Sequence, residues 1–131
     1  MGIRNNRYDA MVPQVVAPLR LKGRVHAFEA QLARAHTTKK LKFTLPGPMT
    51  IVDTVADRFY GDKVKMAMAF AELLNQNRVE YLKQLLRSKK YESFTIEALS
   101  EMSGFGSRRS MYNYFNKYVG MTPSEFINTI N

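Results

Sequence analysis

The sequence predicts an α+β chain in which a βαβα segment is joined through one long helix to an all-α unit of short helices. Three observations predict this: clean alternation of apolar and polar residues from Lys40 to Leu45, a stretch from Asp62 to Ser88 with neither Gly nor Pro, and three well-signalled helix starts and stops after Thr95. At 131 residues, 45% of them hydrophobic, the chain can bury a modest core and is ordinarily one domain.

In the first half, residues 1–12 show no clear period. Val15 to Leu21 reads as a strand, and Pro18 confines it to a sheet edge or to its first residues. Gly23 breaks it. Val25, Phe28 and Leu32, with Ala27, Ala30 and Ala33 around them, describe an amphipathic helix that ends near His36, where Thr37 and Thr38 lower the propensity. Lys40 to Leu45 then predicts a half-buried strand, with Leu41, Phe43 and Leu45 on one side and Lys40, Lys42 and Thr44 on the other. Pro46-Gly47-Pro48 forces a turn. Thr50 is expected to cap a helix, Asp53 to complete its capping box, and Val52, Val55, Ala56 and Phe59 to line its apolar face up to Gly61. Strand, helix, strand, helix in this order implies a parallel pair with a crossover, and two exposed strands must pack on the helical half or self-associate through the sheet.

Along the long helix, Val64, Ala67, Met68, Ala71, Leu74, Val79, Leu82 and Leu86 keep a helical rhythm. Beyond it, Thr95 caps a short helix carrying Ile96, Leu99 and Met102, and Gly104 stops it. Small Ser100 suits a steep helix crossing, and Phe105 is placed to plug the space beneath the turn: the pattern of a helix-turn-helix. Ser107 caps the second helix. There Met111, Phe115 and Tyr118, with Tyr114 beside them, face inward, while Arg109, Tyr112, Asn113 and Asn116 face outward and Arg108 sits on the flank. Gly120 ends it. Thr122-Pro123-Ser124-Glu125 opens a third helix with a capping threonine, a proline at the first position and a glutamate that closes a capping box.

Gly104-Phe105, apolar Met111, Phe115 and the run Gly120-Met121-Thr122-Pro123-Ser124-Glu125-Phe126 resemble the second helix-turn-helix of AraC-type transcription regulators. Asn75, Arg78, Val79, Glu80, Tyr81 and the ladder Leu82, Leu85, Leu86 are similar to that family's linker helix, so the likeness covers about residues 70–131. Met111 departs from the usual Phe, a swap that apolar cores tolerate. The resemblance implies double-stranded DNA as partner. Ser107, Arg108, Arg109 and Ser110 would begin the recognition helix, Arg108 or Arg109 would contact guanine and Asn113 adenine, and Tyr112, Asn116 and Lys117 would reach phosphates. Cations at a helix N-terminus are unfavourably placed, which itself suggests an anionic ligand. These regulators grip two successive major-groove segments with two such motifs, and here the second alone is intact.

A second likeness lies upstream. The segment from RYDAMVPQVV to KFTLPGPMTIVDTVADRFYGDKVKMAMAFAELLNQ, about residues 4–76, is similar to part of the catalytic TIM barrel of cobalamin-independent methionine synthases. The barrel-like fragment would end after two strands and cannot close. Two likenesses that meet in one helix imply a chimera, natural or engineered, with its seam near Leu74 to Arg78 and domains at 1–76 and 77–131.

Composition sets further bounds. The net charge of +9 favours polyanions, yet residues 1–77 carry 12 basic and 6 acidic side chains against 8 and 5 in the remainder. Arg20, Lys22, Arg24, Lys39, Lys40 and Lys42 hold much of the excess. With no cysteine there is neither a disulfide framework nor a zinc–thiolate site, and His26 and His36 lack neighbours that would complete a ligand set. Asp53 with Asp57, and Asp9 with Glu29, read as capping or surface charges rather than acid–base partners. No catalytic residue, metal or cofactor is expected, and residual methyltransferase activity is the weakest reading. The polar start and the lack of a long apolar run predict a cytoplasmic chain without membrane contact. A DNA-binding module is the leading reading; a recombinant chain without activity is the alternative.

Overall fold

The computed structural model describes residues 2–3, 8–21, 23 and 26–130. Val25, assigned above to the first helix, and Lys22 and Arg24 of the basic group lie outside the described residues. The chain divides into two compact units, residues 1–71 and 72–131.

In the first unit, β1 (Gly2–Ile3) and β2 (Tyr8–Asp9) form an antiparallel pair in a stretch where the sequence offered no period. Strand β3 is only Gln14–Val15, so most of the Val15 to Leu21 strand does not form. It pairs in parallel with β4 (Ala56–Asp57), with Gln14 opposite Ala56 and Val15 opposite Asp57. The Ala56 N–H donates to the Pro13 carbonyl and the Arg58 N–H to that of Val15, each at 2.9 Å. Between the strands lie α1 (Ala27–Ala35) and α2 (Pro48–Val52). A parallel pair with a helical crossover is therefore present, but its second strand is not the one that alternation indicated.

Lys40 to Leu45 forms no strand, and Leu41, Phe43 and Leu45 stay exposed. Alternation specifies which side chains would share a face; it supplies no partner edge, and an unpaired strand is not stable. Thr50 caps nothing. Helix α2 begins after an extended Gly47, which places Thr50 inside it, and Asp53 closes the helix instead of completing a capping box. The helix expected to run on to Phe59 stops at Val52 because the Ala56 and Arg58 N–H groups pair with the Pro13 and Val15 carbonyls at β3 instead, and past them the Asp57 carboxylate accepts the backbone N–H groups of Phe59 (3.0 Å), Tyr60 (2.8 Å) and Asp62 (3.1 Å). Burial pushes the Asp57 carboxyl up, but those backbone hydrogen bonds outweigh it and hold it below its ordinary value. Val52, Met66 and Ala67 form the buried cluster here, with Val15, Val55, Tyr60 and Phe70 partly buried against it. Helix α1 buries nothing fully, and the apolar face expected around Phe28 and Leu32 is exposed.

Helix α3 (Lys63–Arg87) matches the Gly- and Pro-free stretch. A 3-10 turn at Lys89–Tyr91 follows, then α4 (Ile96–Met102), α5 (Arg108–Val119) and α6 (Pro123–Ile130). No strand follows residue 57 among the described residues. In the second unit Val79, Leu82, Leu85, Leu99, Phe105, Met111, Phe115 and Phe126 are buried in one cluster. Phe115 and Phe126 meet edge to face with ring centroids 5.5 Å apart. Met102, expected on the apolar face of α4, is exposed at its last turn.

Candidate nucleic-acid interface

The turn between α4 and α5 sets the site. The Thr95 hydroxyl accepts the Ala98 N–H at the start of α4 (3.2 Å). At its other end the Phe105 N–H returns to the Ser100 carbonyl (3.1 Å) and the Gly104 N–H to that of Glu101 (2.9 Å), the paired bonds of a Schellman stop. Gly104 has φ +84°, and a Cβ added there would meet the Arg78 Nε at 3.4 Å. Arg78 in turn donates to the Asn75 side chain at 3.0 Å and lies over the Phe105 ring, 5.8 Å from its centroid. The two polar residues that resembled a linker helix thus fasten α3 to the turn. Phe105 and Ser100 are buried beneath it, as their sizes predicted.

Ser107 accepts the Ser110 N–H (3.2 Å) and so caps α5, while Gly120, at φ +77°, ends it. Within α5, Met111 and Phe115 are fully buried, and Tyr114, Tyr118 and Val119 pack partly against the same core. At about 100° per residue, Arg109, Asn113 and Asn116 fall within an arc of about 60° on the opposite side. All three are exposed, and among the described residues their side chains make no hydrogen bond or ion pair. Ser110 is half-buried at the helix start.

Tyr112, assigned outward, Arg108, assigned to the flank, and Lys117, expected at phosphates, are each engaged by neighbours. Tyr112 is half-buried against the core rather than facing freely outward. The Ser124 side chain at the start of α6, and then Arg108, hold its phenol below the ordinary value despite burial. Arg108 donates to the Glu97 carboxylate at 2.6 Å and to the Tyr112 hydroxyl at 3.4 Å, and stacks over the Tyr112 ring at 5.3 Å. Tyr112 and Glu97 together raise its already high pKa. Lys117 is paired with Glu72 of α3 and sits 5.9 Å from the Tyr114 centroid and 5.4 Å from that of Tyr118. Lys117 and then Tyr118 keep the Glu72 carboxyl below its ordinary value, while burial and the neighbouring Glu72 charge push the Tyr118 phenol well up.

The sequence reading passed over Glu72 and Glu97. Each lies far along the chain from its cation, 45 residues for Glu72 and 11 for Glu97, so no local spacing marks them. Among the described residues no group of His, Cys, Asp and Glu gathers as metal ligands, and no helix is long and apolar enough to cross a membrane.

A pair of short helices in contact, a tight glycine turn and an outward polar stripe on the second helix define a helix-turn-helix unit. The family model described as a helix-turn-helix domain matches residues 63–129, and the chain belongs to this AraC-type family of DNA-binding regulatory domains. Among individual proteins the chain is similar to the methionine synthase of Thermoplasma volcanium, 29% identical over 76 residues, which is 58% of this chain and 22% of that protein. The chain thus spans about a fifth of the curated relative it matches, and a 76-residue alignment cannot fit before residue 63, so the two matches share residues. No solved structure matches.

Proposed function

We propose that the chain binds double-stranded DNA by laying α5 in the major groove, with Arg109 and Asn113 at base edges. Arg109 takes the guanine contact in preference to Arg108, which is already engaged by Glu97 and Tyr112. Asn113 suits adenine. Arg108, Tyr112, Asn116 and Lys117 serve the phosphates, and Ser107 and Ser110 hold the helix start against the backbone. The observation that carries this reading is the stripe Arg109, Asn113 and Asn116, exposed and unpartnered between two flanking cations.

One intact motif neutralises few phosphates. Binding is therefore weak, mainly non-specific, detectable at low salt and nearly gone at physiological salt. Equilibrium binding to duplexes of varied sequence tests the assignment. Arg109→Ala should cost about 1–3 kcal/mol and relax preference at one base position, whereas Lys117→Ala should lower affinity evenly across sequences. An even loss for Arg109→Ala would remove it from base contact.

A second reading concerns origin. The partial match to a methionine synthase favours a fused or engineered chain; the division into a barrel-derived segment at 1–76 and a regulator segment at 77–131 rests on the sequence likenesses, while the family model begins at residue 63. In that reading the first segment contributes packing or self-association and no chemistry, since the chain has no cysteine for a zinc–thiolate centre.

A further inference from the structure

Both cations that flank the exposed stripe of α5 are held by a carboxylate from another helix. Arg108 and Lys117 lie on opposite sides of Arg109, Asn113 and Asn116, about 180° apart around the helix and about 13 Å apart along its axis, so that they face the two walls of a groove that holds the helix. Arg108 is held by Glu97 of α4 and Lys117 by Glu72 of α3. Both pairs are open to solvent, with side-chain exposures of 60% and 54% for Arg108 and Glu97 and 55% and 35% for Lys117 and Glu72. Such pairs separate at small cost. Arg109, on the stripe between their flanks, has no such anion among the described residues.

Building on the DNA-binding reading, we infer that Glu97 and Glu72 are phosphate surrogates: each holds a cation in place until a backbone phosphate of duplex DNA takes it over. The exchange is one acceptor for another. The Arg108 guanidinium keeps its bond to Tyr112 and moves its charge-assisted hydrogen bond from carboxylate to phosphate. Lys117 stays over the rings of Tyr114 and Tyr118 and does the same. The freed carboxylates then stand beside the DNA backbone and oppose it, so these two acids keep affinity low. They also account for the modest charge of this half: residues 72–131 carry eight Lys and Arg against six Asp and Glu.

The test is fluorescence anisotropy of the full chain with a labelled mixed-sequence duplex, titrated over low KCl concentrations. Glu97→Gln should tighten binding by about 2- to 5-fold, the range an exposed ion pair spans. It should also steepen the logarithmic salt dependence by up to about 0.9. Glu101→Gln, an exposed acid on the same helix without such a pair, reports the effect of removing a charge alone. In an Arg108→Ala background the gain from Glu97→Gln should shrink to the Glu101→Gln value, and Glu72→Gln should behave likewise with Lys117→Ala. If Glu97→Gln matches Glu101→Gln in the parent chain, or keeps its full effect without Arg108, the surrogate role is wrong while DNA binding stands. If neither the parent nor Glu97→Gln binds duplex at any salt, the DNA reading falls and the exchange falls with it.

Discussion

The two units fold by different amounts of the same ingredient. Residues 72–131 bury eight apolar side chains in one cluster, whereas residues 1–71 bury three among the described residues and leave Phe28, Leu32, Phe43 and Leu45 in solvent. Apolar content does not separate them; the spacing of stop signals does. Helices α4 and α5 of the second unit are each ended by a glycine or serine device that turns the apolar stripe back on its neighbour. In the first unit β3 and β4 are two residues each, too short to present an apolar face to α1.

The sharpest way to break this contrast is a matched pair of truncations. Phe115→Ala should destabilise the second unit by about 3–5 kcal/mol, read from urea unfolding followed by circular dichroism. Phe28→Ala, on an exposed face, should change stability by no more than about 0.5 kcal/mol. Comparable losses would mean that α1 is covered by something its exposure does not reveal.

Smaller, and specific to the turn, is Gly104→Ala. A left-handed φ and the nearby Arg78 side chain together should cost about 1–3 kcal/mol, measured as a shift in unfolding midpoint. At Gly47, where φ is negative and no atom crowds a Cβ, the same change should be nearly silent. Should the two substitutions behave alike, the Schellman stop is not what fixes the angle between α4 and α5.

Acid provides the mildest comparison. Glu72 and Glu125 in the second unit, and Asp57 in the first, have folded pKa values below their ordinary 4.5, 4.5 and 3.8. Glu125 is lowered by the Thr122 backbone N–H and then by its hydroxyl. A depressed carboxyl contributes stability above its unfolded pKa and loses it as pH falls through the folded value, so the second unit should weaken below about pH 4.5 and the first below about pH 3.8. With two such groups against one, hydrogen exchange in α5 and α6 should respond more steeply than exchange in α2. An equal response would show that surface screening removes the difference.

The same contrast explains what the sequence made legible. Thr95, Gly104, Ser107, Gly120 and the Thr122 to Glu125 box act within four residues of themselves; helices α4 and α5 begin and end, and α6 begins, where those residues direct. The Lys40 to Leu45 strand failed because pairing is decided by a distant edge, and the Val52 to Phe59 helix failed because the distant Pro13 and Val15 carbonyls take the Ala56 and Arg58 N–H groups. At the site, the buried and exposed faces of α5 could be read from period alone. The carboxylates that restrain Arg108 and Lys117, and the half-burial of Tyr112, depend on contacts made by α3, α4 and α6 and left no periodic mark.

The central claim is that duplex binding runs through the start of α5 and not through the scattered positive charge of the first unit. Low-salt duplex binding of Arg108→Ala combined with Arg109→Ala tests it most directly. Losing a base contact and a phosphate contact together should weaken binding by at least about tenfold and flatten its salt dependence. Unaltered affinity in that double variant would place binding on Arg20, Lys39, Lys40 and Lys42 instead and leave the helix-turn-helix as a structural relic.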